Sequence, residues 1–232
     1  MFDTYQRYLY PYNFFLKKRK NIKNLLDLGA NGAGFARYNI YKIPQTNVDV
    51  VKPRKNEIEQ FSFLKYVVYD GGKLPFGKGC FDLLLCIDTL EHIPPNKRRK
   101  FVQEALRVTN KYAIFTFPIN TSEKYENILR KIFPQNKFLQ EHKHFSLPKD
   151  EEFKQMIISF GYSLVEEKNN INVYLWIPIK LISSFLYRLL KNNHRLSFKL
   201  FLLYKSTLAH LINFGTGYSK TYLIVKNEYA KK

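Results

Sequence analysis

The chain has 232 residues, 45% of them hydrophobic, with 38 Lys or Arg against 19 Asp or Glu and a net charge of +19. That is enough apolar material for one full core, and only two cysteines, Cys80 and Cys86, argue against a disulfide-built fold and for a reducing, cytoplasmic setting. The positive excess points to an acidic partner (nucleic acid, an anionic lipid surface or a phosphorylated substrate), unless it merely reflects a Lys-rich composition.

Residues 1–23 read as a basic, aromatic N-terminal extension, "MFDTYQRYLYPYNFF" followed by "KKRK", without the layout of a secretion signal. A single domain over 24–232 follows. Short apolar runs near 24–28, 46–51, 64–69, 81–87 and 111–117 predict strands. Between them "NKRRKFVQEALRV" (96–108) carries Phe101, Ala105 and Val108 on one helical face. "KDEEFKQMIISF" (149–160) predicts another helix, stopped by Gly161, then a strand from "YSLVEEKN" and a last strand from "SKTYLIVKN" (219–227). Strands alternating with helices predict an α/β fold: a Rossmann-like doubly wound sheet, mostly parallel, with helices on both faces.

The chemistry concentrates at the predicted strand ends. "NLLDLGANGAGFARYN" (24–39) places Asp27 at the end of a buried strand, then Gly29, Gly32 and Gly34, then a predicted helix start at Phe35. Glycine at such a turn permits positive φ and close approach of a ligand, and a helix start offers free N–H groups. Asp49, 22 residues after Asp27, sits where an acid can accept from both hydroxyls of a ribose. Asp70 ends the third strand, where a carboxylate can accept from an exocyclic amine. Asp88, Glu91 and His92 follow the fourth, in "CIDTLEHIPP". Ligands of open α/β sheets bind at this carboxyl edge. Each residue also has a plain structural reading: Asp27 as a helix cap, Asp49 as a surface acid, Asp70 as a turn former before Gly71-Gly72, Glu91 and His92 as helix-start residues. Asp82 reads as structural and Cys86 as core. No metal-ligand spacing is assigned.

On these residues the chain resembles a class I S-adenosylmethionine-dependent methyltransferase of the small-molecule type, over roughly residues 20–165 and the final strand. "LLDLGANGAGF" resembles the family's first motif. "DGGKLPFGKGCFDLLLCIDTLEHI" (70–93) resembles its run from the adenine-contacting acid to Leu-Glu-His, and "HKHFSLPKDEEFKQMIISFGY" (142–162) the segment leading into the last crossover helix. The resemblance implies an antiparallel last strand and S-adenosyl-L-methionine as cofactor. It places that cofactor against Asp27, Gly29, Ala30, Asn31, Gly32 and Gly34, with Asp49 and Val50 at the ribose, Asp70 and Gly71 at adenine, and Asp88 and Thr89 at the pocket mouth. Where the family carries glycine, four and six residues after the first acid, this chain has Asn31 and Ala33. Asparagine tolerates left-handed backbone, so a shifted turn is expected.

His144 and His92 are the candidate catalytic bases, because a neutral imidazole in a cleft can take a hydroxyl proton; His142 is expected to be exposed. The family's Asn-Pro-Pro-Tyr arrangement for amino acceptors is replaced by "DTLEHIPP", which favours an oxygen on a small-molecule or lipid-linked, glycan-type acceptor. The stretch 174–214 reads as a hydrophobic, basic helical insertion before the last strand. Basic residues interrupt every apolar run, which argues against a spanning helix and for either a packed lid or a peripheral contact with an anionic membrane. Two other readings stay open: an RNA methyltransferase using the basic surface, and a non-catalytic binding module of the same fold.

Overall fold

The computed structural model describes residues 2–172, 174–176, 178, 194–207, 209–212 and 215–230. Seven strands form one sheet: β1 Leu25–Leu28, β2 Gln45–Asp49, β3 Leu64–Val68, β4 Phe81–Ile87, β5 Thr109–Pro118, β6 Tyr162–Asn172 and β7 Gly217–Lys226, in the order β3-β2-β1-β4-β5-β7-β6. Strands β1 to β5 are parallel, and β7 runs antiparallel to both neighbours. The strand order reverses between β1 and β4, which opens a crevice at their carboxyl ends. Both central strands are buried along their whole length. Their near-continuous apolar sequence is the signature of strands covered on both faces.

Alternate residues of the same strands build two cores. On one face Leu26, Leu84, Cys86, Ala113, Phe115 and Tyr222 pack against helix α3 (Pro95–Val108) through Val102, Ala105 and Leu106, and against α6 (Asp150–Ser159) through Phe153 and Ile157. On the other, Leu25, Leu83, Leu85, Ile114 and Leu223 meet helix α1 (Phe2–Lys18) through Tyr5, Tyr12, Phe14 and Phe15. The N-terminal aromatics are thus structural. Tyr5 also reaches Phe201 and Tyr204 of α7 (His194–Ser206) and donates its hydroxyl to the Ser197 carbonyl at 2.7 Å. This contact ties the two ends of the sequence together over the sheet. The rest of the expected insertion, 177, 179–193, 208 and 213–214, lies outside the described residues. Among the described residues no helix is long and apolar enough to cross a membrane.

One expectation is corrected. The helix predicted after the glycine loop is only a 3-10 turn, Gly34–Arg37. A buried polar ladder holds the remaining crossover instead. Asn39 bonds both the N–H and the carbonyl of Ile43 and donates to Gln45, Gln45 donates to Asn47 at 2.7 Å, and Asn47 donates to the Gly32 carbonyl at 2.7 Å. These amides satisfy the backbone that a helix would have satisfied internally. The face a longer helix would cover is taken by α1, whose Tyr8 stacks on Tyr38 with centroids 4.8 Å apart. Between β5 and α6 the chain adds two helices, α4 (Glu123–Ile132) and α5 (Lys137–Phe145), the second seated against the Leu90–His92 turn.

Phe15 is fully buried, edge-on to Phe35. Phe15→Ala should lower stability by about 3–5 kcal/mol, read as a lower urea midpoint at unchanged slope. A shift below about 1 kcal/mol would mean that α1 is not part of the core.

Candidate active site

The loop after β1 is shaped around one carboxylate. Asp27 is 1% exposed and accepts the Phe35 N–H at 2.7 Å. A side chain on Gly34 (φ +48°) would lie 2.2 Å from that carboxylate oxygen, so only glycine fits. At the start of the loop, Gly29 (φ +80°) is covered by Thr89, where an added Cβ would stand 2.2 Å from the hydroxyl oxygen. Asn31 takes the left-handed conformation (φ 41°) and Gly32 continues it (φ +100°). Left-handed backbone thus falls at Asn31, where the family's glycine is replaced, and at Gly32 and Gly34 beside it. Burial pushes the Asp27 carboxyl up to about 7, with the nearby Asp49 charge adding to the rise and the Phe35 N–H opposing it.

Asp49, at the tip of β2, faces the loop from the other side. Its Oδ2 accepts from the Asn31 N–H at 2.9 Å and its Oδ1 from the Val51 N–H at 3.0 Å. Each oxygen keeps a further lone pair for a ligand hydroxyl. Val50 beside it is exposed. Asp70 is exposed and folds back on the Gly72 N–H at 2.8 Å, while an added Cβ on Gly71 would stand 3.8 Å from Val50. The Asp70 loop is thus set against the β2 tip. Its far side is fastened by Arg107, which donates to the carbonyls of Leu74 (3.0 Å) and Phe76 (2.8 Å), with Glu104 accepting the Leu74 N–H. "LPF" is therefore an anchor for the acid upstream.

At the tip of β4, Asp88 adopts positive φ (49°) and pairs with Arg7 of α1. The loop region is thereby bridged by the N-terminal helix. Next comes a dense acid–imidazole cluster. Glu91 is 1% exposed, and burial beside Asp88 holds its carboxyl well above the usual range. His92 pairs with Glu141 at 2.9 Å, and its ring centroid lies 4.8 Å from that of His142. His142 is buried, with Nδ1 2.8 Å from Glu126 Oε1. Glu126, itself fully buried, also accepts from Tyr218 at 2.6 Å and from Arg130 at 3.2 Å. Burial and the adjacent His142 lower the His92 pKa, so its neutral form is favoured.

The sequence-derived residues are therefore distributed unevenly. Asp27, Asp49 and the glycine loop converge, Asp70 stands at the edge, and Asp88, Thr89 and His92 line the β4 tip. The two histidines of α5 are exchanged relative to expectation: His142 is inward and His144 is exposed on the outer side of the helix. The reason is helical phase. Leu139 and His142, three apart, share the buried face with the helix capped by Asn136, and His144 falls outside it. Arg7, Glu126 and Glu141 were not legible as site residues, because they reach the β4 tip from helices remote in sequence. Asp82 proves structural as read, accepting from the Lys23 N–H and Asn110 and pairing with Lys111. A cavity of about 410 Å³ lined by Phe14, Lys18, Lys111 and Tyr112 lies at the opposite edge of the sheet and holds none of these groups.

Comparison with known proteins fits this geometry. Residues 26–117 match the family model described as a methyltransferase domain. No curated protein matches by sequence. Among solved structures, the chain is similar to magnesium protoporphyrin IX methyltransferase of Synechocystis PCC 6803 with bound S-adenosylhomocysteine (TM-score 0.62, 12% identity, covering 97% of this chain and 84% of that one). It is similar also to a putative methyltransferase of Bacillus halodurans C-125 (0.56, 16%, 94% and 98%). A third is the 1,6-didemethyltoxoflavin-N1-methyltransferase of Burkholderia thailandensis, solved with its substrate and S-adenosylhomocysteine (0.55, 12%, 94% and 77%). At these identities the structural likeness establishes the fold, and the family match runs from the glycine loop through β5. Residues 26–117 thus match a methyltransferase domain, set in the Rossmann-like fold that these solved methyltransferases share.

Proposed function

We propose that the chain transfers a methyl group from S-adenosylmethionine to an oxygen of a small-molecule or lipid-linked acceptor, with the cofactor against the glycine loop. In this reading Asp49 accepts from the ribose hydroxyls, Asp70 receives the adenine amine, and Gly29, Ala30, Asn31, Gly32 and Gly34 line the amino-acid end under Asp27. Asp88 and Thr89 stand where the reactive methyl meets the acceptor. The cofactor brings its own leaving group, a neutral thioether, so the protein's task is alignment of oxygen, methyl and sulfur.

The observation that carries the oxygen assignment is the Glu91–His92–His142 cluster at the β4 tip. A hydroxyl is a poor nucleophile until its proton is removed, and buried polar groups near the β4 tip support a site at which that proton is lost. His144, exposed on α5, no longer fits the role of base. The lipid-linked option is supported by the +19 charge and by Leu202 and Leu203 of α7, exposed beside Lys199.

Methyl-labelled S-adenosylmethionine, incubated with the protein and either soluble hydroxylated compounds or phosphatidylglycerol vesicles carrying lipid-linked glycans, should yield an O-methyl product. Label recovered only in RNA or on nitrogen would overturn the assignment. By calorimetry, Asp49→Ala should weaken cofactor binding at least about tenfold, since hydrogen bonds to a charged group contribute about 1.5–3 kcal/mol each; Asp70→Ala, at the exposed edge, should weaken it less.

Asp27 makes a separate prediction. Its folded pKa, about 7, lies above the unfolded value near 3.8, so the folded state holds the extra proton and stability falls as pH rises between about 4 and 7. Asp27→Asn should remove that slope, worth a few kcal/mol by linkage. Denaturant unfolding of both proteins at pH 5 and 7.5 reads the difference. Parallel pH profiles would show that Asp27 does not titrate in this window.

A further inference from the structure

The turn after β4 and helix α5 bring together two buried polar atoms to which the fold gives no partner. Glu91 Oε2 and His142 Nε2 are buried atoms with no hydrogen-bond partner among the described residues. Together with His92 they bring ligand atoms within 4.8 Å of one another. Glu91 is 1% exposed and His142 7%. A buried carboxylate oxygen and a buried imidazole nitrogen left unpaired are each unfavourable, and two in one cluster call for a common partner.

The groups behind them have a definite pattern. His142 is held through Nδ1 by Glu126 at 2.8 Å, and His92 through Nδ1 by Glu141 at 2.9 Å. A carboxylate on Nδ1 fixes the ring so that Nε2 points away as an acceptor, which is the usual support for a metal-bound imidazole. Two such rings and one carboxylate form a three-ligand face. The local charge agrees: Asp88, Glu91, Glu126 and Glu141 gather here in a chain of net charge +19, while Arg7 is paired with Asp88 and Arg130 with Glu126.

We propose that Glu91, His92 and His142 bind one divalent transition-metal ion, of which Zn2+ is the representative. Two imidazoles with one carboxylate suit Zn2+ and its neighbours rather than Mg2+ or Ca2+, which prefer oxygen. Ligand atoms around such an ion stand about 3.4 Å apart at metal–ligand distances of about 2.1 Å. From a spacing of up to 4.8 Å the three ligand atoms therefore need to close by up to about 1.4 Å. Three protein ligands leave a fourth position for an exogenous ligand. There the ion takes the acceptor's hydroxyl oxygen, a role that rests on the oxygen-acceptor reading, whereas the metal site itself does not. The hydroxyl loses its proton to water, the oxygen–methyl bond forms as the methyl–sulfur bond breaks, and the sulfonium leaves as a neutral thioether.

The test is metal binding by the full chain, stripped with a chelator and titrated with ZnCl2 against a chromophoric competitor. One equivalent is expected. Glu91→Gln and His142→Ala should lose that equivalent. Glu141→Gln, a partly exposed change behind His92, should weaken it by about 10–100-fold with an unaltered circular dichroism spectrum. His144→Ala should bind as the parent does. No saturable binding in the parent, or equal affinity in the parent and Glu141→Gln, overturns the proposal. S-adenosylmethionine binding measured on the same samples separates the two readings. Zn2+ bound without cofactor sinks the cofactor reading alone, and cofactor bound without Zn2+ sinks the metal site alone.

Discussion

The hydrogen bond from the Phe35 N–H to the buried Asp27 carboxylate sets the shape of the sheet's carboxyl edge. To make it, the chain must turn back within eight residues of the end of β1, which forces left-handed backbone at Asn31 and Gly32 and denies Gly34 a side chain. The turn in turn places the Asn31 N–H on Asp49, so the tips of β1 and β2 are fixed relative to each other. Burying the carboxylate is unfavourable, and one N–H offsets only part of it. The rest of the structure holds Asp27 there: the Asn39–Gln45–Asn47 ladder below the loop and the α1 aromatics above it.

The skeleton was readable because its signals are local. Continuous apolar runs gave the buried strands, and 3.6-residue spacing gave α3 and α6. Asp27, Asp49, Asp70 and Asp88 were recognisable by position at strand ends. What escaped was decided at a distance. The helix expected after Phe35 lost to a buried amide network, in which Asn39, Gln45 and Asn47 look like ordinary polar residues of a loop. The N-terminal aromatics read as an appendage because their partners, Phe201 and Tyr204, lie nearly two hundred residues away. His142 and His144 differ by two positions, less than one helical turn. Only the seating of α5 on the Leu90–His92 turn decides which faces inward.

Charge is arranged against the global trend. A chain with twice as many basic as acidic residues places buried acids at the tips of β1 and β4, and fixes others with specific donors. Asp82 and Asp150 are stabilised as carboxylates, Asp150 by Lys220, Tyr222 and Lys154 against its own burial. Asp27 and Glu91 are displaced the other way, toward the protonated form. The acids that brace the scaffold are thus held as carboxylates, while burial shifts Asp27 and Glu91, beside the crevice, toward the protonated form. Sites that handle a ligand commonly show such displaced titratable groups.

The placement of β7 between β5 and β6 bears on biosynthesis. β5 and β6 are translated well before the strand that joins them, and at about 5–20 residues per second the ribosome needs seconds to cover the stretch from Asn172 to Gly217. Until then two strands carry unpaired backbone edges, the kind of surface on which nascent chains stick to one another. Among the described strands β7 is therefore the last to be made, and its arrival closes the open edges of β5 and β6 together.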